Sequence, residues 1–334
     1  MATQTQTREK LTADKSQPVP VTVDNFKRAE SNMYFRITSI NEGAFGKFFH
    51  KPDLFPVDNQ TVVRGNRDTI YSSAVFDLDA GPVTISLPDA GTRFMSMMVV
   101  NEDHYVLNVY YGKGDYEITR EEAGTRYVLV GIRTLVDPDV PGDLDQVHTL
   151  QQAVKVKQPG GPGMFEVPNW DSESQKKIRD ALIVLGSTIR DFKNAFGKKT
   201  EVDPVRHLIG SAIGWGGNPD KEATYLNVTP PQNDGKKLYR LTIKEVPVDA
   251  FWSVSVYNAN GYFEKNDRNA YTINNLTAKK ESDDSIIIQF GGCDNSSGNC
   301  IPITEGWNYT VRLYRPRLEI LNGKWKFPEP EAIS

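Results

Sequence analysis

The sequence predicts a mainly β protein with helices, an α+β chain in which two β-rich regions are joined through a helical segment. Three observations predict it. The hydrophobic period is two from about residue 60 to 135, lengthens to that of a helix between about 143 and 215, and returns to two up to about 316. Gly, Pro, Asp and Asn punctuate the period-two regions. A length of 334 residues exceeds what one ordinary core fills and suits two domains.

Taken in chain order, MATQTQTREKLTADKSQPVP is polar, ends in Pro18-Val19-Pro20 and reads as a disordered lead-in over residues 1–21. It has no apolar h-region, so no signal peptide is expected in the chain as written. Residues 24–49 read as a helix, because Phe26, Met33, Ile37, Ile40, Ala44 and Phe48 recur at spacings of three, four and seven. Asp24 is its expected N-cap. Strand-like runs follow as TVVRG, IYSSAVFDL, PVTISLP, RFMSMMVVN, YVLNVYY and RYVLVGIRTLV. DAGP, PDAGT, NEDH and GKGD between them are turn chemistry, and such spacing suggests a sandwich or barrel sheet.

The helical middle begins with DLDQVHTLQQAVKV, which carries Leu144, Val147, Leu150 and Val154 on one face. SESQKKIRDALIVLGSTIRDFKNAF opens with a Ser172-to-Gln175 capping box. DPVRHLIGSAIGW places Pro204 in the first helical turn. KLYRLTIKEV, AFWSVSVYN, AYTIN, SIIIQF and WNYTVRLYRP then read as strands. No internal repeat of short fixed period is present.

Composition excludes several classes. The net charge is −4, from 39 Lys plus Arg against 43 Asp plus Glu, and the basic residues are scattered, so no nucleic-acid footprint is expected. No apolar run approaches the roughly 20 residues of a membrane span. The two cysteines, Cys293 and Cys300, flank Gly, Asn, Asp and Ser, which leaves a hairpin disulfide and two separate thiols both open. Without histidine partners they are poor evidence for zinc. No nucleophile elbow, phosphate loop, metalloprotease helix or dinucleotide fingerprint occurs, and no metal or cofactor is expected.

Three polar constellations stand out. In NRDTIY, Asn66, Asp68 and Tyr71 fit a ligand site, or equally an Asx-turn with the phenol bonded at a sheet corner. In NEDHY, Glu102, Asp103 and His104 fit a general acid/base pair, because a carboxylate raises and orients an imidazole; a plain hairpin turn wants the same residues. In the carboxyl-terminal strands, alternation sets Ser253, Ser255 and Tyr257 opposite Trp252, Val254 and Val256. It sets Thr310, Arg312 and Tyr314 opposite Tyr309, Val311 and Leu313. A face of Ser, Tyr, Thr and Arg suits a small anionic or hydroxyl-rich ligand with Arg312 as its fork, or an internal Arg–Asp pair roofed by tyrosines.

NRDTIYSSAVFDLDAGPVTISLPD, RFMSMMVVNEDHY and GTRYVLVGIRTLVDP closely resemble the domain of unknown function 1254. GGNPDKEATYLNV, FWSVSVYNANGYF, NCIPITEGWNYTVRLYRPR and ILNGKWKFP resemble its usual partner, the domain of unknown function 1214. The resemblance runs from about residue 22 to 328. It implies two linked jelly-roll-like β-sandwiches with a helical segment between them: 22–140 with an initial helix, 141–214 helical, and 215–330. The family's characteristic polar positions fall on Asn66, Asp68, Thr69, Tyr71 and Arg93, and on Trp252, Tyr257, Trp307, Arg312 and Tyr314. The family carries no settled activity. Relatives often begin with an export signal and this chain does not, so its compartment is cytoplasmic as written, and periplasmic or secreted if the sequence starts past a signal.

These readings combine into a protein for a small-molecule ligand, a hydrolase or lyase acting on a sugar-like or carboxylated compound. Asp68, Asp103 and His104 are the expected proton-transfer groups. Arg93 and Arg312 are the anion clamps, and Asn66, Tyr71, Ser255, Tyr257 and Tyr314 the remaining ligand contacts, with Asp68 and Tyr71 expected to share a cavity with Arg93 or His104. The alternatives are a non-catalytic carbohydrate- or metabolite-binding protein, and a structural protein whose aromatics form a homo-oligomer interface.

Overall fold

A computed structural model describes residues 17–60, 62–189, 191–295 and 298–333. The first β region comprises β1 (Phe49–His50), β2 (Thr69–Asp77), β3 (Val83–Leu87), β4 (Met95–Asn101), β5 (Val106–Tyr111), β6 (Gly114–Ile118), β7 (Tyr127–Leu135) and β8 (Lys155–Lys157). They form two antiparallel sheets, ordered β1-β2-β7-β4-β5 and β6-β3-β8. Period-two alternation decides how these sheets stack. Phe76, Val128, Val130 and Ile132 of the larger sheet meet Val83 and Ile85 of the smaller in one apolar core.

The second β region comprises β9 (Ala223–Val228), β10 (Leu238–Ile243), β11 (Trp252–Tyr257), β12 (Thr272–Asn274), β13 (Ile286–Phe290), β14 (Asn299–Ile301), β15 (Asn308–Tyr314) and β16 (Glu331–Ile333). Its sheets run β12-β11-β15-β9 and β14-β13-β10-β16. Trp252, Val254, Val311 and Leu313 pack against Leu241 and Ile288. The apolar faces read from alternation are therefore the core faces. Among the described residues none of the four sheets closes, and both regions are sandwich-like.

The helices are α1 (Phe26–Arg36), α2 (Arg120–Ala123), α3 (Asp143–Ala153), α4 (Ser172–Gly186), α5 (Pro204–Ile213) and α6 (Leu318–Leu321). α1, α4 and α5 join through Phe26, Ala29, Leu182 and Ile209. The free face of the five-stranded sheet is covered where Phe35 of α1 meets Val75, Tyr127 and Leu129. Glu30 of α1 is buried and is gripped by Arg179 through two hydrogen bonds of 2.6–2.7 Å, which compensates its desolvation.

Several sequence expectations are corrected. α1 starts after Asn25 rather than Asp24, and ends in a π-turn at Ile37–Asn41, so Ala44 and Phe48 are not helical. Of the lead-in, residues 1–16 lie outside the described residues; beyond them Val19 bridges to Trp170 and Val21 is buried, so this part is ordered. Val62 to Gly65 turn rather than extend, because Arg64 adopts a left-handed φ of 53° and donates its amide to Gly261 of the second sandwich. Thr61 lies outside the described residues.

At α4 the cap is Asp171, which accepts from the Ser174 amide at 2.8 Å, and not Ser172. That helix stops at Gly186, where the Ser187 and Thr188 hydroxyls donate to the carbonyls of Val184 and Leu185. Asp203 caps α5 with Pro204 in its first turn, as its sequence implies. Lys155 and Val156, read as the end of a helix, belong to the strand Lys155–Lys157 that edges β3. Cys293 and Cys300 are disulfide-bonded with Cα atoms 5.6 Å apart. Their loop is no hairpin, since β14 returns parallel to β13.

Candidate functional site

Each sandwich contributes one tyrosine–arginine cross-strand pair to a common cavity. In the first, Tyr71 on β2 lies opposite Arg133 on β7, with the guanidinium 5.5 Å from the phenol ring centre. In the second, Tyr225 on β9 lies opposite Arg312 on β15. All four line a cavity of about 400 Å³ between the sandwiches, walled also by the segment before β2 and the chain around α5. Side chains opposite one another on one sheet face stand about 4.5–5.5 Å apart at Cβ, so each pair is fixed by register and needs no loop to position it.

Asn66 links the two sandwiches at the cavity. Its amide nitrogen donates to the phenol oxygens of Tyr71 at 3.0 Å and Tyr314 at 2.9 Å. Its carbonyl oxygen accepts from the Asp68 amide at 2.9 Å, which is an Asx-turn. One side chain therefore makes both the turn and the bridge. The two phenols are driven apart in acidity. For Tyr71 burial acts upward, but Arg133 and hydrogen bonds from Thr69 and Asn66 outweigh it and lower its pKa. Burial, with the adjacent Tyr71 charge, raises Tyr314 well above the ordinary phenol range.

The two arginines are unequal. Arg312 is 4% exposed and donates to Ser255 Oγ at 2.8 Å, the Arg64 and Gly65 carbonyls at 2.8 and 3.1 Å, and Tyr257 Oη at 2.7 Å. Arg133 is half-buried and open to the cavity; among the described residues it interacts with the Tyr71 phenol and reaches the Gly216 carbonyl at 3.2 Å and Asn218 Oδ1 at 3.4 Å. None of these acceptors is a carboxylate. Burial would lower the Arg133 pKa, yet the phenols of Tyr71, Tyr225 and Tyr314 outweigh it and raise it, so the guanidinium stays charged.

Asp68 faces away from the cavity into the second sandwich, accepting from Ser253 Oγ at 2.6 Å and Thr272 Oγ1 at 3.1 Å. Burial pushes its carboxyl up, with Arg312 and these hydroxyls opposing. The link to Arg312 is a relay: Arg312 donates to Ser255, Ser255 to Thr272 at 3.0 Å, and Thr272 to Asp68. Ser255 and Tyr257 are buried in this junction and do not line the cavity. Trp252 and Trp307 belong to the second core.

The other expected residues lie apart. Arg93 is clamped by Asp143 at the start of α3 and by the Leu135 carbonyl, and does not approach Asp68. Asp103 pairs with Arg28 at the surface. His104 is fully enclosed in a hairpin held by Asn101, whose side chain accepts from the amides of Asp103 and Tyr105. The expected company of Asp68 and Tyr71 with Arg93 or His104 is therefore not formed, because Asp143 holds Arg93 while Ser211 and the Gly216 amide occupy the His104 ring. Arg133 and Tyr225 were missed. Arg133 had a signal, as the only charged side chain in the run YVLVGIRTL; Tyr225 had none, because its role appears only through its register with Arg312. Among the described residues no group of three or more His, Cys, Asp and Glu is arranged for a metal, and no helix is long and apolar enough to cross a membrane.

The comparisons with known proteins agree with this architecture. No curated protein matches the chain. Among solved structures it is similar to the VPA0106 protein from Vibrio parahaemolyticus, with a TM-score of 0.72 at 16% identity over 93% of this chain and 98% of that one. An uncharacterized protein from Burkholderia cenocepacia has a TM-score of 0.54 at 10% identity, over 93% and 88%. At such identities the likeness is one of fold. Residues 45–115 match the family described as protein of unknown function DUF1254, and residues 225–318 match protein of unknown function DUF1214. The chain is a two-domain DUF1254/DUF1214 protein.

Proposed function

We propose that the cavity between the sandwiches binds a small carboxylated molecule and that the protein acts on it as a lyase. The observation that carries the reading is the bridged pair of phenols, Tyr71 lowered and Tyr314 raised, beside a guanidinium that has no carboxylate partner among the described residues. Two neighbouring titratable groups whose pKa values are pushed apart are a base and an acid. A cationic pocket among phenols favours an anion.

In this reading Arg133 holds the substrate carboxylate. Tyr71, as phenolate, takes the proton from the carbon next to it. The electron pair of that C–H bond forms the carbon–carbon double bond as the bond from the next carbon to its oxygen substituent breaks. The departing oxygen takes the proton of Tyr314. Charge that builds on the carboxylate as the proton leaves is met by Arg133, a fixed group that need not reorganise. Proton exchange with solvent restores the pair. Of the sequence's candidates, Asp68 becomes an anchor of the junction, while Tyr71 and Tyr314 take the chemistry.

The test is elimination from 3-hydroxy and 3-alkoxy carboxylates, followed by the ultraviolet absorbance of the unsaturated acid. Tyr71→Phe should lower turnover by about 10²–10⁴ with affinity retained, the usual range for losing a general base. Arg133→Gln should lose binding, and should move the Tyr71 titration, read as tyrosinate absorbance, to higher pH. Binding with no turnover in either protein identifies a non-catalytic binder. Turnover unaffected by Tyr71→Phe defeats the lyase assignment.

A further inference from the structure

Above the charged floor, the mouth of the cavity is apolar. Val62 and Val63 on the segment before β2 are 48% and 53% exposed, and both line the cavity with Phe55, Phe192 and Ile213. Phe192 is half-buried and stacks on Phe196, ring centres 6.1 Å apart. Phe196 is itself seated against Gly217, where an added Cβ would meet the ring at 2.4 Å, so the aromatic wall is held from behind. The two valines are placed by Arg64, whose amide is tied to the Gly261 carbonyl at 2.7 Å and whose guanidinium reaches Asn308 and Thr310.

Arg133 apart, polar side chains of the cavity are already engaged. Asn66 is committed to the two phenols, and Thr310 donates to Asn227 at 2.8 Å while accepting from Arg64. A ring of hydroxyls entering this mouth would lose its water and meet valine, isoleucine and phenylalanine. An apolar body there would instead cover side chains now facing solvent.

We infer that the ligand class is an amphipathic carboxylate: an acid group on Arg133 and an aryl or branched alkyl body against Val62, Val63 and Phe192, rather than a sugar acid. This rests on the anion-binding reading above and adds the nature of the body. The rim valines are on a solvent-facing turn, so replacing them leaves the sandwich cores intact.

Calorimetric titration with 3-phenylpropanoate and with glucuronate, against the full chain and the variants Val63→Asp and Arg133→Gln, separates the two statements. Phenylpropanoate should bind at least about tenfold tighter than glucuronate, a difference of one decade in Kd. Val63→Asp should remove most of that preference, and Arg133→Gln should abolish binding of both acids. Equal or tighter binding of glucuronate overturns the apolar-body assignment while leaving the anion pocket standing. A preference unchanged by Val63→Asp overturns the role of the rim. Binding of neither acid overturns the anion pocket and this inference together.

Discussion

The enclosure of His104 and the junction of Tyr71 with Arg133 are built from similar materials and have opposite states. Around His104 every polar group is used. The Ser211 hydroxyl donates to the His207 carbonyl, so its oxygen accepts from His104 Nδ1 at 2.8 Å, and His104 Nε2 accepts the Gly216 amide at 2.8 Å. The ring is stacked on Trp215 and His207. Burial, followed by His207 and Lys27, pushes its pKa well below the ordinary histidine value, and it stays neutral in that tautomer. At the junction, Arg133 keeps open surface and long contacts beside a phenol whose acidity it raises. Residue type is therefore a poor marker of a site. Charge and hydrogen-bonding capacity left over once the fold is satisfied are the better one.

Arg312 belongs to the saturated kind although it touches the cavity. Arg312→Ala strands two backbone carbonyls and two hydroxyls in the buried junction, and should cost about 3–5 kcal/mol in denaturant unfolding, the scale of several buried acceptors left unsatisfied together. A loss below about 1 kcal/mol would show that the junction is held by other contacts. His104→Ala comes next. It orphans the Gly216 amide, leaves the Ser211 oxygen without its donor and should cost about 2–4 kcal/mol, with ligand affinity of the folded protein unchanged.

The pH dependence has a definite sign. A histidine with a depressed folded pKa contributes stability above its unfolded value of about 6.5, and that stability is lost as pH falls below it. Unfolding midpoints of the wild type should therefore drop on acidification more steeply than those of His104→Ala. His207, also lowered by burial, keeps part of the slope in both proteins. An equal slope would mean that His104 is not held neutral.

Much of this fold was legible because one rule governed it. Alternation identified the core faces of β11 and β15, since a strand with one apolar face has one way to pack. Expectations failed where the determinant was remote in sequence. Val62 to Gly65 looked like a strand, but the φ of Arg64 and its bond to Gly261 are set by the second sandwich. The candidate site was legible in half. Tyr71, Arg312 and Tyr314 were marked as polar surplus on apolar strands, and Asn66 in the polar stretch leading into one. Their partners Arg133 and Tyr225 depend on strand register, which hydrophobic pattern alone does not give. Asp68 and His104 look reactive in sequence, and only coordinates show how completely their neighbours satisfy them.

The smallest expected effect is at Asp68, and it distinguishes a charge from a shape. Its carboxyl sits among Ser253, Thr272 and the relay to Arg312, and burial is the largest influence on it, raising its pKa. A carboxyl whose folded pKa is raised contributes stability that is complete below its unfolded value of about 3.9 and is lost as pH rises through the folded value. Asp68→Asn keeps the size and an acceptor oxygen while removing the ionisable proton. At pH 4 the variant should match the wild type or fall slightly below it. As pH rises to 8 the balance should move toward the variant, with the whole difference within about 1 kcal/mol, the scale of one hydrogen bond. Paired denaturant titrations at the two values measure it. Ligand affinity should not change, because Asp68 does not line the cavity. A variant several kcal/mol less stable at pH 8 would mean that the relay carries a true ion pair, with Arg312 depending on the carboxylate rather than on the hydroxyls and carbonyls that surround it.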